Sequence, residues 1–158
     1  MRLVVVAVGR VRGALAPVVE EYETRAARYW KLDVVEVPAG LKGSAAAPPG
    51  QVVEAEEARI LAKLPPDFEV FALTRAGEAM SSEGLARELA ALATRSAPGA
   101  AFVIGGAFGL GAGVLARAKR RVSLSSMTLP HEMARAVLAE QLYRAGTIVR
   151  GEPYHKGR

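Results

Sequence analysis

The sequence predicts an α/β fold, a single-domain parallel sheet flanked by helices. Two observations carry the prediction. Short apolar runs alternate with longer segments of helical period, the signature of strand–helix units. The runs are also continuous rather than alternating in polarity, so their strands are expected to be covered on both faces. A length of 158 residues suits one domain, which buries about 68–70% of its unfolded surface and needs no staples.

The expected strands are Leu3 to Val8, Val34 to Val37, Val70 to Leu73, Ala101 to Ile104 and Val122 to Leu124. Pro17 to Tyr29 and Val52 to Lys63 read as helices, the second stopped by Leu64-Pro65-Pro66, since proline neither donates nor continues a helix. Ser81-Ser82-Glu83 opens a third helix in the manner of a capping box, with Leu85, Leu89 and Leu92 on one face. Pro98-Gly99 ends that unit. Ala39 to Gly50 is weak in pattern and is expected to be a mobile loop. A last helix spans Glu132 to Thr147, with Met133, Val137, Leu138, Leu142 and Ala145 as a broad apolar stripe and Glu140–Arg144 as an i,i+4 pair. Such a stripe meets the core, or in part a second subunit. The chain shows no internal repeat and no second domain.

Composition excludes several classes. There is no cysteine, hence no disulfide framework and no thiolate metal site, and two histidines are too few for an all-protein zinc site. The apolar run after Met1-Arg2 is too short for a signal segment or a membrane span. A soluble cytoplasmic protein without membrane or metal partners is expected.

The formal charge of +5 is uneven: residues 101–158 hold nine Lys/Arg against three Asp/Glu, and residues 51–100 hold five against eight. The run Arg117-Ala118-Lys119-Arg120-Arg121 concentrates the excess. A polyanionic partner fits this distribution, and so does a solvated basic face.

The candidate chemistry lies in the loops of the last third. Gly105-Gly106-Ala107-Phe108-Gly109-Leu110-Gly111-Ala112-Gly113 follows a strand, where open α/β sheets bind ligands. It has neither the dinucleotide fingerprint spacing nor a P-loop Lys-Ser/Thr. The Ser/Thr-rich loop Leu124 to Leu129 follows the next strand and ends at Pro130. His131 then falls in the first turn of a helix, where the partial positive charge favours a neutral ring able to accept a proton. The only other histidine is His155, in a tail of Pro153-Tyr154-His155-Lys156. Tyrosine and histidine can stack on a base, and lysine and arginine can hold phosphate. The tail is expected to stay disordered until it meets RNA or a partner subunit.

The chain resembles the ribosomal large-subunit pseudouridine methyltransferases of the SPOUT class. The residues that carry the resemblance are Val6-Ala7-Val8-Gly9, Glu21-Tyr22, Glu36-Val37-Pro38, Ser81-Ser82-Glu83, Ile104-Gly105-Gly106, Ser123 to His131, Glu140 to Ala145 and Pro153-Tyr154-His155. Their order and spacing run from end to end of the sequence. The resemblance implies a deep C-terminal trefoil knot, which sequence physics alone disfavours, and a homodimer. It implies S-adenosyl-L-methionine as cofactor, held by Leu73, Gly105 and the run Leu124, Ser125, Ser126, Met127, Thr128 and Leu129. It further implies methylation of N3 of a pseudouridine (pseudouridine-1915) in 23S rRNA, within the assembled 70S ribosome.

On that reading His131 or His155 accepts or relays the imide proton, Arg144 and Tyr154 position the base, and Arg135 holds phosphate. A chain this small is expected to combine a cofactor pocket from one subunit with a basic surface or tail from the other. Two positions depart from the family pattern: Thr74 stands where an acidic residue is usual, and Glu78 where a lysine is usual. A non-catalytic RNA-binding ribosome-assembly factor and an enzyme acting on a small metabolite are the competing readings.

Overall fold

The computed structural model describes residues 1–43 and 46–156. Its elements are β1 (Arg2–Val8), α1 (Leu15–Ala26), β2 (Lys31–Val37), α2 (Pro49–Leu61), β3 (Glu69–Ala79), α3 (Ser82–Thr94), β4 (Gly99–Ile104), α4 (Ala112–Arg117), β5 (Arg120–Ser123) and α5 (His131–Val149), followed by a 3-10 turn (Pro153–His155). The strands form one sheet in the order β2-β1-β4-β3-β5, with every pairing parallel.

β1 and β4 lie inside the sheet, and every residue of Leu3–Val8 and Gly99–Ile104 is buried. Because side chains alternate across a strand, each apolar run feeds two cores. Leu3, Val5, Ala7 and Phe102 pack with α1, α3 and α5 through Ala26, Leu89, Leu138 and Leu142. Val4, Val6, Val8 and Val103 pack on the other face with Ile60 of α2 and Val114 of α4. Phe71 stacks on Phe102 with ring centres 5.0 Å apart. Trp30 ties the end of α1 to α5 by donating from Nε1 to the Leu142 carbonyl at 2.8 Å.

The third helix begins as its sequence reads, with Ser81 Oγ accepting from the Gly84 N–H at 3.0 Å. Other boundaries move. α2 begins at Pro49, a residue well suited to a first turn, so Pro49-Gly50 leave the loop that was expected to run to Gly50. Arg59 pins the front of that loop, donating to the carbonyls of Pro38 at 2.7 Å and Gly40 at 2.6 Å; its Ser44 and Ala45 lie outside the described residues. β3 continues past Leu73 to Ala79: both Leu73 and Glu78 pair with Val122, so Thr74, Arg75, Ala76 and Gly77 bulge out between them. α4 was not expected, because glycines mask its short pattern. α5 starts one residue early and ends two late, at Val149. Its stripe is divided: Leu138, Leu142 and Ala145 are buried, whereas Met133 is 39% exposed. Among the described residues no helix is long and apolar enough to cross a membrane.

Candidate active site

Parallel strands deliver their carboxyl ends to one edge of the sheet, and there the loops after β3, β4 and β5 enclose a cleft of about 550 Å³. The size is that of a small-ligand site. Leu73 and the bulge residues Thr74, Arg75 and Ala76 form one wall, and Ile104 to Leu110 a second. Leu124, Ser125, Met127, Thr128 and Leu129 close a third side, and His131 and Ala134 of α5 complete it. The cleft therefore brings together Leu73, Gly105, Leu124, Ser125, Met127, Thr128, Leu129 and His131. Ser126 is exposed and stands outside the lining.

Local chemistry explains why these loops read as they do. Ser123 Oγ donates to the Ser125 carbonyl at 2.8 Å, and Ser125 Oγ accepts from the Met127 N–H at 3.0 Å. The hydroxyls thus serve backbone groups that no strand or helix satisfies. Arg75 reaches across from the bulge and donates to Thr128 Oγ1 at 3.2 Å. The glycine run divides by function. Gly105, Gly106 and Gly109 line the cleft, and a Cβ on Gly105 would lie 2.9 Å from the Gly109 backbone. Gly111 and Gly113 instead pack on Glu57, whose Oε2 accepts from the N–H groups of Gly113 at 2.7 Å and Val114 at 3.1 Å. His131 rests against the end of β1: a Cβ on Gly9 would stand 3.3 Å from its Nε2.

Arg144, Tyr154 and His155 lie elsewhere. Thirteen helical steps lead from His131 to Arg144, about 20 Å at the helical rise, and none of the three lines the cleft. The expectation of a disordered tail is corrected. Gly151, at φ +70°, turns the chain back, and the Glu152 N–H donates to the Thr147 carbonyl at 2.8 Å. The Tyr29 hydroxyl donates to the Glu152 carboxylate.

Tyr154 docks in company, because all four tyrosines of the chain gather here. Its ring lies 4.5 Å from Tyr143 and 4.9 Å from the Arg144 guanidinium carbon. Its hydroxyl donates to Glu140 Oε1 at 3.0 Å. Burial pushes the phenol above its ordinary range, and the neighbouring Tyr22 and Glu140 push it further. His155 Nδ1 is buried without a hydrogen-bond partner among the described residues. Gly157 and Arg158 lie outside them.

The expectation that Arg135 holds phosphate is corrected. Arg135 is buried, bonding to Glu23 at 2.8 Å and Glu36 at 3.0 Å; a buried guanidinium spent on two carboxylates is closed to phosphate. In the basic run, Arg117 donates to the carbonyls of Pro65, Pro66 and Phe68, Lys119 to Glu69 and Arg120 to Glu88. Arg117 and Lys119 thus tie the start of β3 to its surroundings, at the edge of the sheet opposite the cleft, and Arg120 ties β5 to α3. Of the two departures from the family pattern, Thr74 lines the cleft, while Glu78 stands outside it, 72% exposed and 3.9 Å from Arg120. Sequence reasoning missed Arg75 and Phe108. Among the described residues no group of three or more His, Cys, Asp or Glu could hold a metal ion.

Comparison with known proteins agrees with this architecture. The family profile described as "Predicted SPOUT methyltransferase" matches residues 1–155. A protein named Ribosomal RNA large subunit methyltransferase H from Gemmatimonas aurantiaca is 52% identical over 157 residues, covering 99% of this chain and 100% of its own. Proteins of the same name from an Anaeromyxobacter species and from Listeria monocytogenes are 48% and 45% identical, with the same coverage. Among solved structures, a probable methyltransferase from Bordetella pertussis shares the fold at a TM-score of 0.55 and 18% identity, over 91% of this chain and 95% of its own. With one profile and several relatives matching essentially from end to end, the chain belongs to the SPOUT methyltransferase family.

Proposed function

We propose that the protein transfers a methyl group from S-adenosylmethionine to N3 of a pseudouridine in the 23S rRNA of assembled ribosomes, working in the cytoplasm as a knotted homodimer. The observation that carries this reading is the cleft at the carboxyl ends of β3, β4 and β5, with His131 at its rim. Relatives of about half-identical sequence are named as methyltransferases of the ribosomal large-subunit RNA.

The lining fits the cofactor. Leu73, Ile104 and Leu129 offer apolar walls, and Gly105 and Gly106 bring bare backbone to the lining. Leu73, Gly105 and the loop 124–129 would hold the cofactor, with Ser126 the one residue of that loop outside the lining. S-adenosylmethionine supplies a methyl group already activated on sulfur, so the chain's own residues have to position the base, remove the imide proton and exclude water. The imidazole of His131 or of His155 takes that proton from N3. Phe108, 52% exposed, and Met127, 76% exposed, stand at the mouth as an apolar cover for an entering base.

Arg144, Tyr154 and His155 cannot reach the cleft of their own subunit along a rigid α5, so they serve the cleft of a second copy. Arg144 and Tyr154 position the base there. The rival assembly-factor reading leaves the cleft unused, and of the basic third it would rely on, Arg135 is buried against Glu23 and Glu36.

Incubation with labelled S-adenosylmethionine and, separately, 23S rRNA, large subunits or whole ribosomes, followed by nucleoside mapping, tests the proposal. Label in a pseudouridine of 23S rRNA from whole ribosomes is the expected result. Absence of label from all three substrates overturns it.

A further inference from the structure

We propose that Glu140 is a positioning residue for methyl transfer, its carboxylate setting Arg144 and Tyr154 as one preformed clamp on α5. The inference rests on the function proposed above and assigns to one side chain the order of its substrate-facing group.

The carboxylate is saturated from every side. Oε1 accepts from Arg144 Nε at 3.0 Å, from Arg144 Nη2 at 2.5 Å and from the Tyr154 hydroxyl at 3.0 Å. Oε2 accepts from Gln141 Nε2 at 2.7 Å, and Gln141 Oε1 in turn accepts from Ser82 Oγ at 2.5 Å. A chain of hydrogen bonds thus runs from the start of α3 to the tail. Glu140 is more than an i,i+4 partner for Arg144: the same oxygen holds both groups assigned to the base, one from the helix and one from beyond it.

Two consequences follow from the chemistry. The Tyr154 hydrogen is committed to Glu140, and the Tyr22 hydroxyl lies against the same phenol, so the ring is held from two sides. Glu140 takes the Nε and Nη2 donors of Arg144, and among the described residues no side-chain bond engages Nη1. Arg144 therefore keeps its Nη1 donors for a carbonyl of the base, beside a tyrosine ring already fixed in place. Long side chains lose rotamer freedom when a ligand orders them; a clamp ordered in advance spares substrate binding that loss.

Ribosome methylation, calorimetry with S-adenosylmethionine and hydrogen exchange of the Lys156 amide, which donates to the Pro153 carbonyl at 2.9 Å, test the proposal together. Glu140→Ala is expected to lower kcat by about tenfold or more while the cofactor Kd stays within about twofold. The same variant should speed Lys156 exchange by about tenfold, because the turn loses its anchor. Glu140→Gln keeps a carbonyl acceptor and should recover most of both effects. Glu140→Ala combined with Tyr154→Phe should be no slower than the worse single variant, since the two act as a unit.

Unchanged kcat and exchange in Glu140→Ala, losses that multiply in the double variant, or a joint fall of cofactor affinity and thermal stability would each overturn the assignment. If the wild-type protein transfers no methyl group to ribosomes, the proposed function fails instead. The exchange comparison then still decides whether Glu140 anchors the tail.

Discussion

The carboxylate of Glu56 occupies the space that a side chain on Gly106 would need. A Cβ on Gly106 would stand 2.7 Å from Oε2 and 2.8 Å from Oε1 of a residue only 2% exposed. Gly106→Ala is expected to cost about 1–3 kcal/mol by overpacking and to weaken cofactor binding by displacing the loop. Adding Glu56→Ala should recover part of that stability. Denaturation midpoints and calorimetry check both; an unchanged midpoint in Gly106→Ala would show that the loop yields freely.

Arg135 separates structural cations from those available to RNA. Arg135→Met leaves Glu23 and Glu36 facing each other without their cation, an expected cost of about 3 kcal/mol, at the low end for a buried pair because Glu36 keeps contact with solvent. The slope of RNA affinity against salt should not change, since no phosphate contact is lost. A shallower slope would mean that Arg135 does reach RNA.

Tyr154 carries a pH signature. Its phenol is raised from the ordinary 10.0 by burial and by its neighbours, so the folded protein favours the protonated form. The stability this contributes is complete below the unfolded value and is lost as pH rises from there through the higher folded value. Urea midpoints at about pH 9 to 11 should therefore fall less steeply in Tyr154→Phe than in the wild type.

Proton removal can be assigned by comparing the two histidines at saturating ribosome. Replacing the true base by alanine should lower kcat by about a hundredfold or more, and replacing the other histidine should cost less. Wild-type kcat in both His131→Ala and His155→Ala would exclude imidazole from the proton step.

Sharing between subunits has a numerical outcome. Mixing equal amounts of Gly105→Val, blocked at the cleft, with Arg144→Ala, impaired at the clamp, makes about half the dimers mixed, each with one intact composite site. Activity should recover to about a quarter of wild type. Activity no higher than in either parent would place cleft and clamp in the same subunit.

Much of this molecule was legible in its residues, and what was not has identifiable causes. The uninterrupted run Leu3 to Val8 announced a central strand, and Ser81 announced a helix start that its hydroxyl does cap. The second half of β3 was hidden because Thr74 to Gly77 leave the sheet, and a bulge erases the apolar pattern by which a strand is recognised. Arg75 was missed for the same reason. The basic run was legible as charge but not as contact: nothing in Arg117 or Lys119 says that carbonyls before β3 and Glu69 await them. The tyrosine cluster around Tyr154 was not legible because Tyr22 and Tyr29 come from the first helix region, far away in sequence. The loops after the strands meet at one cleft, since a parallel sheet sends them to one edge; that His131 lines it and His155 does not was beyond the reach of sequence, because it depends on how the tail turns back on α5.

α5 is, in this light, a gauge. Its first residue is the histidine of a cleft and its middle turns carry Glu140 and Arg144, the clamp proposed above, and their separation and relative direction are set by the count of residues between them. A single residue inserted between His131 and Glu140 would advance the clamp by about 1.5 Å and swing it by about 100° around the helix axis. The buried face would be broken by the same rotation. Substitutions along this stretch are judged one side chain at a time, but a change of length is judged by both ends at once, so the chain tolerates variation in what α5 displays far better than in how long it is.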